Sequence, residues 1–416
     1  MPDPSESQTA DMTPVVDRIH LIDSLRAAAL CGVILFNIVA MVAGFLSREL
    51  LLRASPVDLG FAAVDVLLIQ GKARSCFALL FGVGFGILME RANSRGQDFT
   101  RFYLRRMAVL LAIGLCNLTF LFFGDILILY ALLGISMLLF RGWGNRALLV
   151  GGLALVVLPP VAQGIAEAAV GGPLPNLAGL GPAQIEGLMP ASVQAYRGSS
   201  FSTYAMANWR YYLDMYRVHT ADTLVYNASV LGLFLLGLWA ARSNVLTDIE
   251  RWRPFLRRVV WWCLPAGLLL SVVQGTRHLG IAAHGAAYGV VTASYAALAF
   301  AAFGYIALLC LFLTRGRGRQ IQKVLAPMGR MALTGYLASN LIGAFVFYGW
   351  GLGSMSRWSI TGLCLLGLTI FAGLCAFSAV WLRFFRFGLA EWVWRSLTYG
   401  YPQPLLKPRA AVRAPA

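Results

Sequence analysis

From Met107 to Phe140 the chain runs for 34 residues with a single charged side chain, Asp125. As one straight α-helix such a stretch would extend about 51 Å, whereas the hydrocarbon layer of a bilayer is about 30 Å thick. If lipid is the solvent, the stretch must fold back on itself, and Gly124 and Asp125 are the turn formers near its middle. Glycine accepts the backbone angles of a tight reversal. Aspartate caps the free N–H groups of the helix that follows and faces its positive dipole end.

Composition decides the solvent. Of the 416 residues 59% are hydrophobic and only 12% are charged, and the mean hydropathy is +0.70. Soluble domains carry about a quarter charged residues to cover their surface, and a chain bathed in lipid cannot. The reading is an all-α polytopic membrane helix bundle. Apolar runs of spanning length fall near 25–46, 72–90, 107–123, 125–140, 147–168, 226–242, 259–275, 288–314, 330–350 and 359–380, which predicts about ten transmembrane helices. The first 17 residues are polar and acidic. They lack the basic start and apolar core of a cleavable signal, so Leu25–Leu46 is expected to stay as a span.

Orientation follows from the basic residues, which gather on the cytoplasmic side of a membrane. With the N-terminus inside, the inner segments hold 25 of the 34 Lys and Arg, so both termini are expected to be cytoplasmic. The organisation is then a tail at 1–24, a five-span half at 25–170, an extracytoplasmic aromatic-rich loop at 171–225, a second five-span half at 226–395 and a tail at 396–416. Leu59 to Gln70 is apolar but too short to span, and reads as an interfacial or re-entrant helix. Leu279 to Thr314 is long for one span and short for two. The loop crowds Tyr204, Trp209, Tyr211, Tyr212 and Tyr216 around Arg210, Arg217 and His219. It reads as an aromatic helix at the outer interface or as a lid over an outward pocket.

The net charge of +16 sits beside spans, as cytoplasmic loops require, so anionic lipids are the expected partners and nucleic acid is not. The seven cysteines all lie in apolar runs with no CxxC pair. They read as small buried hydrophobes, with no disulfide framework and no metal site. RGRGRQIQK at 315–323 reads as a cytoplasmic basic loop, and the glycines of GFGIL at 84–88 as positions of close helix packing.

A few polar groups in the oily stretches carry the candidate chemistry. Asp125 either caps its helix or lines a water-filled cavity as a proton acceptor, with Asn117 and Tyr130 near enough to share that cavity. Lys72 and Arg74, at the outer end of the second span, either snorkel to lipid phosphate or pair with Asp65 or Asp125 as an outward polar site. His278 and His284 stand at the outer end of the seventh and eighth spans, with structural or interfacial roles expected and a site shared with Asp125 as the alternative. Asp23 and Arg26 lie three apart on one helical face, the spacing of an intrahelical ion pair. Asn37 is expected to bond a neighbouring helix.

Five stretches taken together resemble a known family: IDSLRAAALCGVILFNIVAM, LFGVGFG with its upstream Lys72, GDILILYALLG, GRMALTGYLASNLIGAFVFYGWGLG at 329–353, and WLRFFRFGLAEWVWRSLTYG at 381–400. They look like the bacterial inner-membrane proteins of domain of unknown function 418, also called YeiB-like, in the same order along the whole chain. The family's spans are similar to those of transmembrane acyltransferases. The resemblance therefore implies an acyltransferase with acyl-CoA as donor and a small-molecule or envelope acceptor, and no bound cofactor. Three positions depart from the family pattern: Asn117 stands where a histidine is common, FGLAEW replaces FGPLEW, and Gly335 replaces an asparagine. An asparagine cannot act as a general base, which leaves Asp125 as the candidate base. Glu391 and Arg395 carry over as an inner-face structural pair. A transporter and a non-catalytic scaffold or stress-response component remain as alternatives.

Overall fold

The computed structural model describes residues 13–94, 96, 98–179, 189–278 and 286–407. The ten expected spans each find a helix. The first is α1 (Thr13–Leu52), followed by α2 (Pro56–Val64), a π turn at Asp65–Ile69, and α3 (Lys72–Ser94). Next come α4 (Phe99–Phe120), α5 (Leu127–Ser136) with a 3-10 turn at Met137–Phe140, and α6 (Asn145–Val170). The aromatic loop holds α7 (Met189–Arg197) and α8 (Phe201–Arg217). The second half is α9 (Thr220–Arg242), α10 (Ile249–His278), α11 (Ala286–Ala293), α12 (Ala297–Leu313), α13 (Gly318–Arg330), α14 (Ala332–Phe347), α15 (Ile360–Phe384) and α16 (Leu389–Tyr399). Among the described residues, eight helical segments are long and apolar enough to cross a membrane, and α5 and α14 are shorter apolar helices.

Glycines decide how these helices meet. A Cβ added to Gly82 of α3 would lie 2.1 Å from the Phe234 carbonyl oxygen of α9, and one added to Gly237 of α9 would lie 2.1 Å from the Leu79 oxygen. On its other side α9 meets α6 through Gly232 and Gly152, where an added Cβ would fall 2.7 Å and 3.0 Å, respectively, from the partner glycine's carbonyl oxygen. Without a hydrophobic drive between helices in lipid, close backbone approach and van der Waals contact hold such helices together. Of the two glycines in GFGIL, Gly86 packs on Ala241 of α9, whereas Gly84 meets only the end of the Arg26 side chain.

Four expectations are refined. The apolar stretch at 59–70 is joined to the next span as one interrupted helix, Pro56–Ser94. It breaks at Gln70 and at Gly71, whose φ of 76° is a conformation glycine tolerates. Residues 286–313 form one helical run with a 3-10 step at Ser294–Ala296, and the preceding residues 279–285 lie outside the described ones. The basic stretch at 315–323 is half helix: α13 starts at Gly318, buries Gln322, Ala326 and Met328, and leaves Arg315, Arg317, Arg319, Lys323 and Arg330 exposed. All seven cysteines are free, and Cys116 is exposed where burial was expected; on the outer surface of a bundle in lipid an exposed thiol is still in apolar surroundings.

The glycine contacts give a test. Gly82→Ala should lower the melting temperature in detergent by the equivalent of about 1–3 kcal/mol, because a backbone carbonyl cannot swing aside. Gly373→Ala on α15, where an added Cβ meets nothing within 4 Å, is the control. Both gain about 1 kcal/mol of helix propensity, so the difference between their melting temperatures isolates the clash.

Candidate functional site

A cavity of about 1130 Å³ lies among α1, α2, α3, α6, α8, α9 and α10. It occupies the end of the bundle opposite the arginine-rich one: its wall takes α1 from Phe36 to Leu51, the first turn of α3, and the α4–α5 turn at Phe122–Asp125. Most of the wall is oily. The charged groups in it are Asp65, Arg74, Asp125 and Asp222.

Asp125 both caps its helix and faces this cavity. One carboxylate oxygen accepts from the backbone N–H of Ile128, 2.8 Å away in the first turn of α5. The other accepts from the Asn117 amide nitrogen at 2.6 Å. Asn117 in turn accepts from Asn340 of α14 at 3.2 Å, and Asn340 accepts from Asn37 of α1 at 3.1 Å. The four side chains form one buried chain of hydrogen bonds across α1, α4, α14 and the start of α5, and none is more than 7% exposed. Sequence reasoning expected Asn37 to bond another helix and missed its partner Asn340, although an amide in the apolar stretch LASNLIG was the available signal.

Arg74 stands in the wall with its guanidinium over the rings of Phe36, at 4.5 Å, and Tyr226, at 5.3 Å. Its Nε is buried with no hydrogen-bond partner. Among the described residues no carboxylate lies within ion-pair distance of it, so neither Asp65 nor Asp125 is its mate. Lys72 is neither snorkelled nor at the cavity. It is fully buried, and its ammonium donates to the Val66 carbonyl at 2.6 Å. The helix break at Gln70–Gly71 frees carbonyls of the π turn, and the side chain folds back to meet one. Tyr130 also differs from expectation. Its hydroxyl donates to the Arg74 carbonyl at 3.1 Å and its ring packs between Phe81 and Phe234, so it supports the cavity wall from behind.

Of the two outer histidines, His284 lies outside the described residues, as does the side chain of His278 at the end of α10. Asp23 and Arg26 form the expected ion pair at 3.1 Å. Glu391 and Arg395 are held separately instead of by each other. The Glu391 carboxylate accepts from the backbone N–H groups of Leu333 at 2.7 Å and Thr334 at 3.1 Å and from the Thr334 hydroxyl at 2.5 Å. That is an anion at the N-terminus of α14, where the helix dipole favours it. The Arg395 guanidinium lies over the Phe387 ring at 4.5 Å. Two backbone N–H groups and a hydroxyl at the helix start are within reach of the carboxylate and satisfy it without the arginine.

The aromatic helix α8 is part of the site. Tyr204 donates to the Leu121 carbonyl at 2.7 Å and Trp209 to the Thr119 hydroxyl at 3.1 Å, which clamps α8 over the α4–α5 turn. Its Tyr211, Tyr212, Met215 and Tyr216 then line the cavity. Of the two readings of the loop, the structure realises the covering one: an aromatic helix lies over a pocket.

Fold and site together define a multi-pass membrane protein with a largely apolar cavity toward one end of its bundle. The chain belongs to the YeiB-like family of membrane proteins, the DUF418 family. The family model "Protein of unknown function (DUF418)" matches residues 240–401. Similarity to relatives runs further: YxaH of Bacillus subtilis (strain 168) is 30% identical over 410 residues, covering 94% of this chain and 96% of that protein. YeiB of Escherichia coli (strain K12) is 26% identical over 400 residues, covering 92% and 97%. A 39.9 kDa protein from the amylase 3' region of Bacillus acidopullulyticus is 28% identical over 410 residues, covering 96% and 100%. No solved structure matches.

The amide chain makes a specific prediction. Asn340→Leu should cost about 1–3 kcal/mol in thermal stability, because it strands the amides of Asn37 and Asn117 in the core. Adding Asn37→Leu should cost less than a second independent loss, so that the double-mutant cycle shows coupling of about 1 kcal/mol.

Proposed function

We propose that this protein binds a long-chain amphiphile with an anionic head group in the cavity and moves an acyl group to or from it. The observation that carries this reading is Arg74: a guanidinium in the wall of a cavity of about 1130 Å³, resting on two aromatic rings with no carboxylate mate among the described residues. An arginine so placed suits a phosphate or carboxylate, which its planar fork can hold with paired hydrogen bonds. Leu50, Leu51, Leu59 and Val272 in the same wall suit a hydrocarbon chain.

Asp125 is the general base in this reading. Two of its lone-pair positions are engaged, by Ile128 and Asn117, and a carboxylate has about four. The two bonds fix its direction, as a base needs if it is to meet a proton in the right place. Asn117 cannot take a proton, so the role falls on the carboxylate. In the step itself an acceptor hydroxyl or amine gives its proton to Asp125 as its oxygen or nitrogen bonds the acyl carbonyl carbon. The carbon–sulfur bond of a thioester donor such as acyl-CoA breaks, and the proton passes from Asp125 to the leaving thiolate. The exposed Arg315, Arg317 and Arg319 at the opposite end suit the donor's phosphates. The resemblance drawn from the sequence motifs implies acyl transfer as well, and so favours the same reading.

A second reading is transport, and the interrupted helix favours it. Its break at Gln70–Gly71 adjoins the cavity, and broken helices line substrate sites in transporters.

The full chain in proteoliposomes separates these readings. Asp125→Asn should abolish acyl transfer from acyl-CoA while the protein keeps its elution volume and loses only about 1–2 kcal/mol of stability from the disturbed bond to Asn117. Undiminished transfer by that variant removes Asp125 as the base. Arg74→Gln should strip the co-purifying anionic lipid, and equal lipid content in variant and wild type would sink the head-group assignment. Counterflow of a solute with no acyl transfer would favour transport.

A further inference from the structure

The interrupted helix in the cavity wall carries a strip of polar groups with unused bonding capacity. Asp65 opens the π turn, Gln70 closes it, and Arg74 follows in the first turn of α3. All three line the cavity. The Gln70 N–H donates to the Asp65 carbonyl at 2.8 Å, which sets Gln70 one turn beyond Asp65. Lys72 draws the turns on either side of the break together through its bond to Val66. Single π turns of this kind are frequent at functional sites.

Both ends of the strip are unsatisfied. Asp65 is 8% exposed, and its Oδ1 is buried with no hydrogen-bond partner. At the other end the same holds for Arg74 Nε. Between them, the Gln70 side-chain amide makes no hydrogen bond among the described residues. The other acids of the wall are served from within the protein. Asp125 accepts from Ile128 and Asn117, and Asp222 accepts from the Gln163 amide at 2.7 Å, in a cluster that Glu167 and Thr292 complete. A buried acid and a guanidinium left open in an oily wall are costly unless a ligand brings what they lack.

The two needs differ in kind. Arg74 has no carboxylate mate among the described residues and calls for an anion, for which a phosphate suits its planar fork. Asp65 calls for a hydrogen-bond donor but not for a further cation, because the buried Lys72 ammonium already acts on its charge. A sodium ion or a ligand ammonium would add a second positive charge beside that lysine, whereas a hydroxyl brings a proton to share and no charge. The Gln70 amide can give to or accept from a second hydroxyl. Resting on the reading of the cavity as an amphiphile site, we infer that the head group of its ligand is a phosphodiester of a polyol, the phosphate on Arg74 and the hydroxyls on Asp65 and Gln70. A glycerol or sugar head group has this chemistry.

The test uses the purified full chain in detergent, with native mass spectrometry reading the binding of three lipids of equal chain length. These are phosphatidylglycerol, phosphatidylpropanol, which has the same charge and no head-group hydroxyl, and phosphatidylethanolamine. Phosphatidylglycerol should bind about tenfold more tightly than phosphatidylpropanol, the worth of one hydrogen bond to a charged group. Asp65→Ala should erase that preference, and Arg74→Gln should weaken both lipids by the same factor. Equal affinity of the wild type for phosphatidylglycerol and phosphatidylpropanol overturns the hydroxyl site while leaving the amphiphile reading in place, and this arm decides even if Asp65→Ala does not fold. A preference that survives in Asp65→Ala removes Asp65 from the site. Binding of none of the three overturns both readings. Tighter binding of phosphatidylethanolamine than of phosphatidylglycerol would assign Asp65 to an ammonium and overturn the polyol. Deacylated phosphatidylglycerol should bind far more weakly than the lipid, and equal affinity would make the source a soluble head group and overturn the lipid assignment. Sodium ions that compete with phosphatidylglycerol in the wild type, and not in Asp65→Ala, would assign the carboxylate to a metal cation instead.

Discussion

The close approach of α9 to α3 and α6 is the constraint from which the architecture follows. In lipid, two helices gain little by hiding leucines from a solvent that is itself oily, so they are held where their backbones can nearly touch. Gly82 and Gly237 on one side, and Gly152 and Gly232 on the other, supply that contact. These glycines lie toward the arginine-rich half of α9, and the cavity-facing residues of α9, such as Asp222, Tyr226 and Val230, lie in the half that precedes them. A helix pinned tightly along one half of its length leaves its neighbours free to diverge along the other. The cavity is that divergence.

Polar groups inside the bundle are arranged by a second rule, that each must find a partner within the protein. The chain from Asp125 through Asn117 and Asn340 to Asn37 satisfies it with side chains from four helical segments. Lys72 satisfies it with a carbonyl released by a helix break. Glu391 satisfies it with the free N–H groups that start α14. Arg74 Nε, one Asp65 carboxylate oxygen and the Gln163 carbonyl oxygen are among the buried atoms that do not satisfy it, and these three belong to side chains of the cavity wall.

What was legible in the sequence was length. Apolar runs find the ten helices, because bilayer thickness sets how long a span must be, but not their ends: α1, α4 and α10 each start well before the apolar run they contain. The turn at Gly124–Asp125 was legible for the same reason, and its capping bond to Ile128 followed from aspartate chemistry. Which faces meet was not legible. Tyr130 lies next to Leu129 in sequence, yet Leu129 lines the cavity and Tyr130 points its hydroxyl at the back of Arg74. Nothing in the sequence singles out Gln163, Glu167 and Asp222. Only the contact of α6 with α11 through Gly164 and Gly289 brings Thr292 to Glu167 and makes a cluster of them.

The anchoring of α2 has a consequence for how the family is delimited. Ser55 and Asp58 cap α2 reciprocally, and the second oxygen of Asp58 accepts from the backbone and hydroxyl of Thr361 at the start of α15. The wall at Leu59 is thus moored to a helix some three hundred positions later, inside the stretch that the family model covers. That stretch holds neither Arg74 nor Asp125 nor Gln163. On its own it would be a mooring with nothing tied to it: the chamber belongs to the two halves jointly, and a fragment cut to the recognised region would enclose no space.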